Sequence, residues 1–174
     1  DGSKMSKSKK NYPDPAIIFD KYGADALRFY LMASPLMRAE DLNFNEQSVE
    51  EVYRKVIMLL TNVHTFYEIS SGGNSVFDTM HERHILDRWI VSRLHHTTRD
   101  VTTALDSYET VDACVTIEKF IDDLSTWYVR RSRDRFNSSG KEKQEAVQTL
   151  AYVLMTLVKL MAPITPFITE DIYQ

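Results

Sequence analysis

The opening residues concentrate groups able to handle phosphate. Lys4-Met5-Ser6-Lys7-Ser8, introduced by Asp1-Gly2-Ser3 and followed by Lys9-Lys10-Asn11-Tyr12-Pro13-Asp14-Pro15, places ammonium and hydroxyl donors in a turn with little apolar mass to bury. Such a loop can clamp a polyphosphate. Positioned ammonium groups stabilise charge that builds on phosphate oxygens more in the transition state than in the ground state. Gly2 and Ser3 provide hinge freedom, Ser6 and Ser8 shape the turn or donate to phosphate, and Met5 suits an anchor on an apolar surface. A bare lysine and serine run also suits a solvated basic tail.

A second group lies in Leu124-Ser125-Thr126-Trp127-Tyr128-Val129-Arg130-Arg131-Ser132-Arg133-Asp134-Arg135-Phe136. On a regular helix Trp127, Arg130, Arg131 and Asp134 share one side, and Arg133 lies off that stripe. In a packing reading, Trp127 and Tyr128 enter the core, Arg130 pairs with Asp134, and Arg131 lays its stem over the fold. In a functional reading, the arginines reach nucleic-acid phosphates with an aromatic ring nearby for stacking. His81 and His84 could present two imidazoles on one helical face, but no second Cys or His pair accompanies them, so no metal site is expected. His95 and His96 point to different faces and read as solvated.

The elements that must carry these groups are helical. Asp14 can cap and Pro15 open a short helix bearing Ile17, Ile18 and Phe19, ended by Gly23. A second runs from Ala24 to about Ala33 and is stopped by Ser34-Pro35; Asp41 to Phe44 form an extended link. From Asn45 the spacing predicts long amphipathic helices. The first carries Val49, Val52, Tyr53, Val56, Leu59, Leu60, Val63 and Phe66, and ends near Gly72 and Gly73. The next presents Leu86, Trp89, Ile90, Leu94, Val101 and Leu105. A third presents Cys114, Ile117, Phe120, Ile121, Leu124, Trp127 and Tyr128, with a break at residues 137–140. A fourth carries Val147 to Met161 and is stopped by Pro163, after which Thr165 and Pro166 read as the cap and first position of another helix. The expected fold is all-α: an antiparallel helix bundle over residues 45–174, truncated at its C-terminal end and preceded by the loop and a small mainly helical connector over residues 1–44.

The 174 residues, 43% hydrophobic and 11% aromatic, suffice for a packed core. A net charge of −4 excludes a generally basic nucleic-acid binder, but charge is uneven: Lys4, Lys7, Lys9 and Lys10 crowd the start, and Arg130, Arg131, Arg133, Arg135, Lys141 and Lys143 a later segment. Cys114 is the single cysteine, which excludes an internal disulfide and fits a reducing compartment. No apolar run approaches the ~20 residues of a membrane span and no signal-peptide pattern opens the chain, so a cytoplasmic location and no membrane partner are expected. Asp1 in place of an initiator methionine, and a loop without a preceding fold to hold it, predict a piece of a longer protein.

Lys4 to Ser8 resembles the second signature loop of class I aminoacyl-tRNA synthetases, and the continuation Lys10 to Pro15 is similar to the isoleucine-specific branch. Asp87 to Leu94, Trp127 to Arg133 and Ala162 to Tyr173 resemble the helical domain of that branch, so the resemblance spans nearly the whole chain. It departs at Lys9, where leucine is frequent, and at Asn137, where an aromatic often follows Phe136. The resemblance implies a loop that closes over ATP, with Lys4 and Lys7 catalytic and Met5, Ser6 and Ser8 completing the ATP contacts. It implies tRNA binding by Lys9, Lys10, Arg130, Arg131 and Arg133, with the bundle on the anticodon arm. A parent of this kind would form aminoacyl-adenylate from isoleucine and ATP with Mg2+, then load tRNA(Ile), acting as a monomer. The family's His-x-Gly-His turn is not among these residues, so the chain is not expected to catalyse alone. A valine- or leucine-specific parent, and a helical protein-interaction scaffold, stand as alternatives.

Overall fold

The computed structural model describes Met5, residues 14–72 and residues 84–174. The Asp14 carboxylate accepts the Ala16 amide at 2.9 Å, and Pro15 takes the first position of α1 (Pro15–Met32). At Gly23 the backbone adopts φ 79° and ψ 162°, a conformation that L side chains avoid, and this divides α1 into the two helical stretches expected from the sequence. A single 3-10 turn at Pro35–Arg38 was not foreseen; beyond it an extended link runs over residues 40–45.

The Asn45 side chain caps α2 (Glu46–Val52) through the Gln47 amide at 2.9 Å. A π-helical turn, Tyr53–Met58, joins α2 to α3 (Leu59–Ser71) as one rod, which Gly72 closes with a left-handed φ of 63°. Then come α4 (Ile85–Asp106), α5 (Thr110–Asp122), a second π-helical turn at Asp123–Val129, α6 (Arg133–Asn137), α7 (Lys141–Met161) and α8 (Pro166–Tyr173). Among the described residues there is no strand. The tight turn at residues 107–109 folds α5 back along α4, and α7 packs on α3, α4, α6 and α8, so the architecture is the expected antiparallel bundle. The third predicted helix is interrupted, its wide turn and a break before α6 falling where the spacing suggested a continuous rod.

Leu60, Ile90, Leu94, Ile117, Phe120, Leu124, Leu150 and Leu157 are fully buried in the main core, each contributing roughly 1.5–3 kcal/mol by leaving water. A smaller apolar cluster of Ile18, Ala26, Tyr30 and Val49, flanked by Phe44 and Tyr53, draws on both sides of residue 44. Phe29 of α1 joins the main core. No helix among the described residues is long and apolar enough to cross a membrane.

Two side chains of α1 complete hydrogen bonds that the far end of the bundle leaves open. The buried Asp25 carboxylate accepts the Ile168 amide at 2.7 Å and the Phe167 amide at 3.4 Å, while the Arg28 guanidinium donates to the Ile164 and Pro163 carbonyls at 3.1 and 3.2 Å. The sequence places Thr165 as the cap of α8; the helix does begin there, but the Thr165 hydroxyl turns back to the Met161 carbonyl and Asp25 does the capping. Asp25→Ala is therefore expected to cost about 1 kcal/mol, a fall in Tm of roughly 2–4 °C in a thermal scan. An unchanged Tm would show that α8 holds its own start.

Candidate nucleic-acid interface

The arginine segment is arranged by a change of helical pitch. Along α5, Ile117, Phe120, Ile121 and Leu124 face the core at three- and four-residue intervals. Were the α-helix to continue at roughly 100° per residue, Arg131 would fall on that apolar stripe. The π-helical turn at Asp123–Val129 takes in one extra residue and rotates the chain beyond it. Tyr128, Ser132 and Phe136 consequently meet the core, and Trp127 and Arg131 emerge on the surface. The Thr126 hydroxyl donates to the Asp122 carbonyl at 2.8 Å, supplying a donor where the wider turn displaces the backbone amide.

Beneath the turn lies a buried polar network. Asp87, with no exposed surface, accepts a bidentate pair from Arg135 at 2.8 and 2.6 Å and the Tyr128 hydroxyl at 2.8 Å. Burial, reinforced by the Asp87 charge, raises the Tyr128 phenol well above its ordinary pKa, so it remains a donor. The sequence reading grouped Arg135 with surface cations and missed this network. The available signal was Asp87 itself, which shares a helical face with Ile90 and Leu94, and a carboxylate on an apolar stripe requires a buried partner.

Above the turn, Arg130, Arg131 and Arg133 are exposed, and none forms an ion pair among the described residues. Elsewhere Arg38 is matched by Glu109 and Asp112, Arg93 by Asp123 and Arg99 by Asp100, while the exposed Arg54 and Arg88 form no ion pair among the described residues. The Arg131 guanidinium carbon sits 3.9 Å from the centroid of the Trp127 indole, a cation–π stack about one helical turn apart. Trp89 of α4 stands 6.1 Å from Trp127, tilted by 56°, and Arg93 grips Asp123 at 2.7 and 3.0 Å at the start of the wide turn.

Three parts of the packing reading are thereby corrected. Trp127 is 43% exposed rather than core, because the wide turn carries it outward; Tyr128 alone of the pair is buried. Arg130 does not pair with Asp134, and Arg131 lies against Trp127 rather than over the apolar core. His95 is not merely solvated, since its Nε2 lies 3.1 Å from the Tyr152 hydroxyl. The His84 Nδ1 accepts the Leu86 amide and caps α4; His81 lies outside the described residues. Burial pushes the Cys114 thiol up to about 12, which leaves it unreactive. Asn137 is exposed, and the Ser138 hydroxyl closes the end of α6 on the Arg135 carbonyl at 2.7 Å. In the signature loop, Met5 is exposed, while Lys4, Ser6, Lys7, Ser8, Lys9 and Lys10 lie outside the described residues.

Residues 87–174 match the family model described as the anticodon-binding domain of tRNA ligase, and residues 1–43 match that of tRNA synthetases class I (I, L, M and V). The chain is 45% identical over 181 residues to isoleucine–tRNA ligase 2 of Bacillus anthracis, covering 99% of this chain and 17% of that protein. It is 40% identical over 174 residues to the isoleucine–tRNA ligase of Corynebacterium efficiens, covering all of this chain and 16% of the relative. The chain thus spans about a sixth of the length of these curated relatives. Among solved structures it is similar to the crystal structure of the ternary complex of Agrobacterium radiobacter K84 agnB2 LeuRS-tRNA-LeuAMS. The TM-score is 0.67 and the identity 22%, over 99% of this chain and 20% of that one, a likeness of fold.

Proposed function

Because the chain belongs to the class I tRNA synthetase family and carries its anticodon-binding domain, we propose that it is the part of an isoleucine–tRNA ligase that supplies the ATP-gripping loop and the tRNA-holding bundle. In the parent, isoleucine attacks ATP at the α-phosphorus and the resulting adenylate passes its acyl group to tRNA(Ile). Lys7, with Lys4 beside it, neutralises charge on the triphosphate as pyrophosphate departs; Met5, Ser6 and Ser8 shape the loop around the nucleotide. Mg2+ travels with the ATP. Arg130, Arg131 and Arg133 meet phosphates of the tRNA from the bundle, and Lys9 and Lys10 meet them from the loop. The chain by itself holds tRNA without activating an amino acid, and the parent works as a cytoplasmic monomer.

The observation that supports this reading best is the row of exposed guanidinium groups without acidic partners among the described residues, on a molecule of net charge −4. The net negative charge of the remainder repels polyanions, which favours contact of a phosphate backbone at the basic clusters. The test is equilibrium binding of tRNA(Ile) across a salt series. Affinity should fall steeply with salt, and Arg130→Ala with Arg131→Ala should reduce the slope of log K against log salt by about 2. Equal binding by the folded double variant would remove these arginines from the interface and favour a helical protein-interaction scaffold.

A further inference from the structure

We infer that Gly23 is a positioning residue: its backbone geometry fixes the direction in which the ATP-gripping loop leaves the tRNA-holding bundle. The inference rests on the ligase reading above and names the residue that joins its two halves.

The backbone at Gly23 has φ 79° and ψ 162°, a combination that essentially only glycine populates. An ordinary helix end uses a left-handed glycine with a small ψ, as Gly72 does at φ 63° and ψ 28°, and the chain then leaves the rod. At Gly23 no linker follows, because the helix resumes at Ala24, so one pair of dihedrals sets the angle between residues 15–22 and residues 24–32. Crowding does not explain the glycine. Among the described residues nothing lies within 4 Å of where a Cβ would stand, so the requirement is for backbone conformation and not for space.

The two stretches are held by different means. Residues 24–32 are clipped to the far corner of the bundle: Asp25 accepts the Ile168 amide, Arg28 donates to the Pro163 and Ile164 carbonyls, and Phe29 is fully buried in the main core. Residues 15–22 lie on α2 through the buried Ile18 and through Lys21 and Tyr22, whose Nζ and hydroxyl donate to the Glu46 carboxylate at 2.7 and 3.2 Å. The second stretch is thus fixed to the tRNA-holding body, and the first carries the signature string, whose Ser8 stands seven positions before Pro15. Eight helical residues form a lever of roughly 12 Å, so a change of about 20° at Gly23 moves its free end by roughly 4 Å. A misplacement of about 1 Å at a reacting centre can cost about 10²-fold in rate, which makes an error at this one residue large on the scale the loop chemistry tolerates.

The experiment compares Gly23→Ala with the unaltered full-length ligase proposed above, measuring isoleucine-dependent ATP–pyrophosphate exchange, tRNA(Ile) affinity and Tm. Gly23→Ala should lower kcat of exchange by about 10²-fold and leave the affinity for tRNA unchanged. The loss should persist well below the Tm of the variant, where a purely structural weakening would restore the full rate. Glu46→Ala releases both surface contacts of the first stretch with Gly23 in place, and should lower exchange by about two- to fivefold with tRNA affinity again unchanged. Full exchange by Gly23→Ala, exchange that recovers on cooling, or a parallel fall in tRNA affinity would overturn the assignment. If Gly23→Ala does not fold, full exchange by Glu46→Ala overturns it. Lys7→Ala separates this outcome from failure of the ligase reading. Exchange lost in Lys7→Ala but full in Gly23→Ala rejects the role of Gly23 alone, whereas full exchange in both rejects the loop chemistry on which it rests.

Discussion

Asp87→Asn is expected to be the most damaging single substitution in the bundle, lowering stability by about 3–5 kcal/mol. The Arg135 and Asp87 side chains are only 10% and 0% exposed, so neither can recover solvation when the other is lost. Among the described residues the Arg135 Nε atom already lacks a hydrogen-bond partner, which leaves the two contacts to Asp87 as the main compensation for burying that cation. Removing the carboxylate charge strands the guanidinium and weakens the acceptor of the Tyr128 hydroxyl. Tyr128→Phe removes only one hydrogen bond to a charged group and should cost about 1.5–3 kcal/mol. Urea unfolding followed by circular dichroism measures both. A loss under 1 kcal/mol for Asp87→Asn would mean that the network is a bystander to packing.

In the full-length ligase proposed above, Lys7→Ala should reduce isoleucine-dependent ATP–pyrophosphate exchange by about 10²- to 10³-fold, the effect of deleting one preorganised group that stabilises transition-state charge. The loss should fall mainly on kcat, because the triphosphate gains charge at the leaving oxygens only as the bond to the α-phosphorus breaks. Binding of tRNA by the bundle should be unaltered, so exchange kinetics and tRNA affinity together separate the loop from the helices. A full rate of exchange in the variant would remove Lys7 from the chemistry. Arg130→Ala with Arg131→Ala should give the reciprocal pattern, weakened tRNA binding with exchange intact.

Much of this molecule was legible from residue order because its folding signals are local. Asp14 with Pro15, Asn45, Gly72 and the three- and four-residue apolar spacing each act within a turn or two of chain; the structure realises the caps and the turn where the sequence places them, and the spacing up to the wide turn of the third predicted helix. What escaped involves partners distant in sequence. Asp25 caps a helix that begins 141 residues later, at Pro166. Arg135, which the composition groups with solvated cations, meets an aspartate 48 positions earlier and is buried by it. Thr165 has the right identity for a cap, and it loses the role because a better-placed carboxylate arrives from α1.

The exposure of Trp127 illustrates the limit most clearly. Periodicity assumes a constant pitch, and one wide turn invalidates it for every residue downstream. Residue order alone determined the helical class, the antiparallel succession, the position of the signature string and its likeness to a synthetase family. Only the tertiary structure decided which arginines face water, which one is neutralised inside, and which aromatic ring is presented with them. The physical reason is that helix formation and chain reversal are governed by neighbours in sequence, whereas burial of a charge is settled by whether a remote counter-charge reaches it at hydrogen-bonding distance.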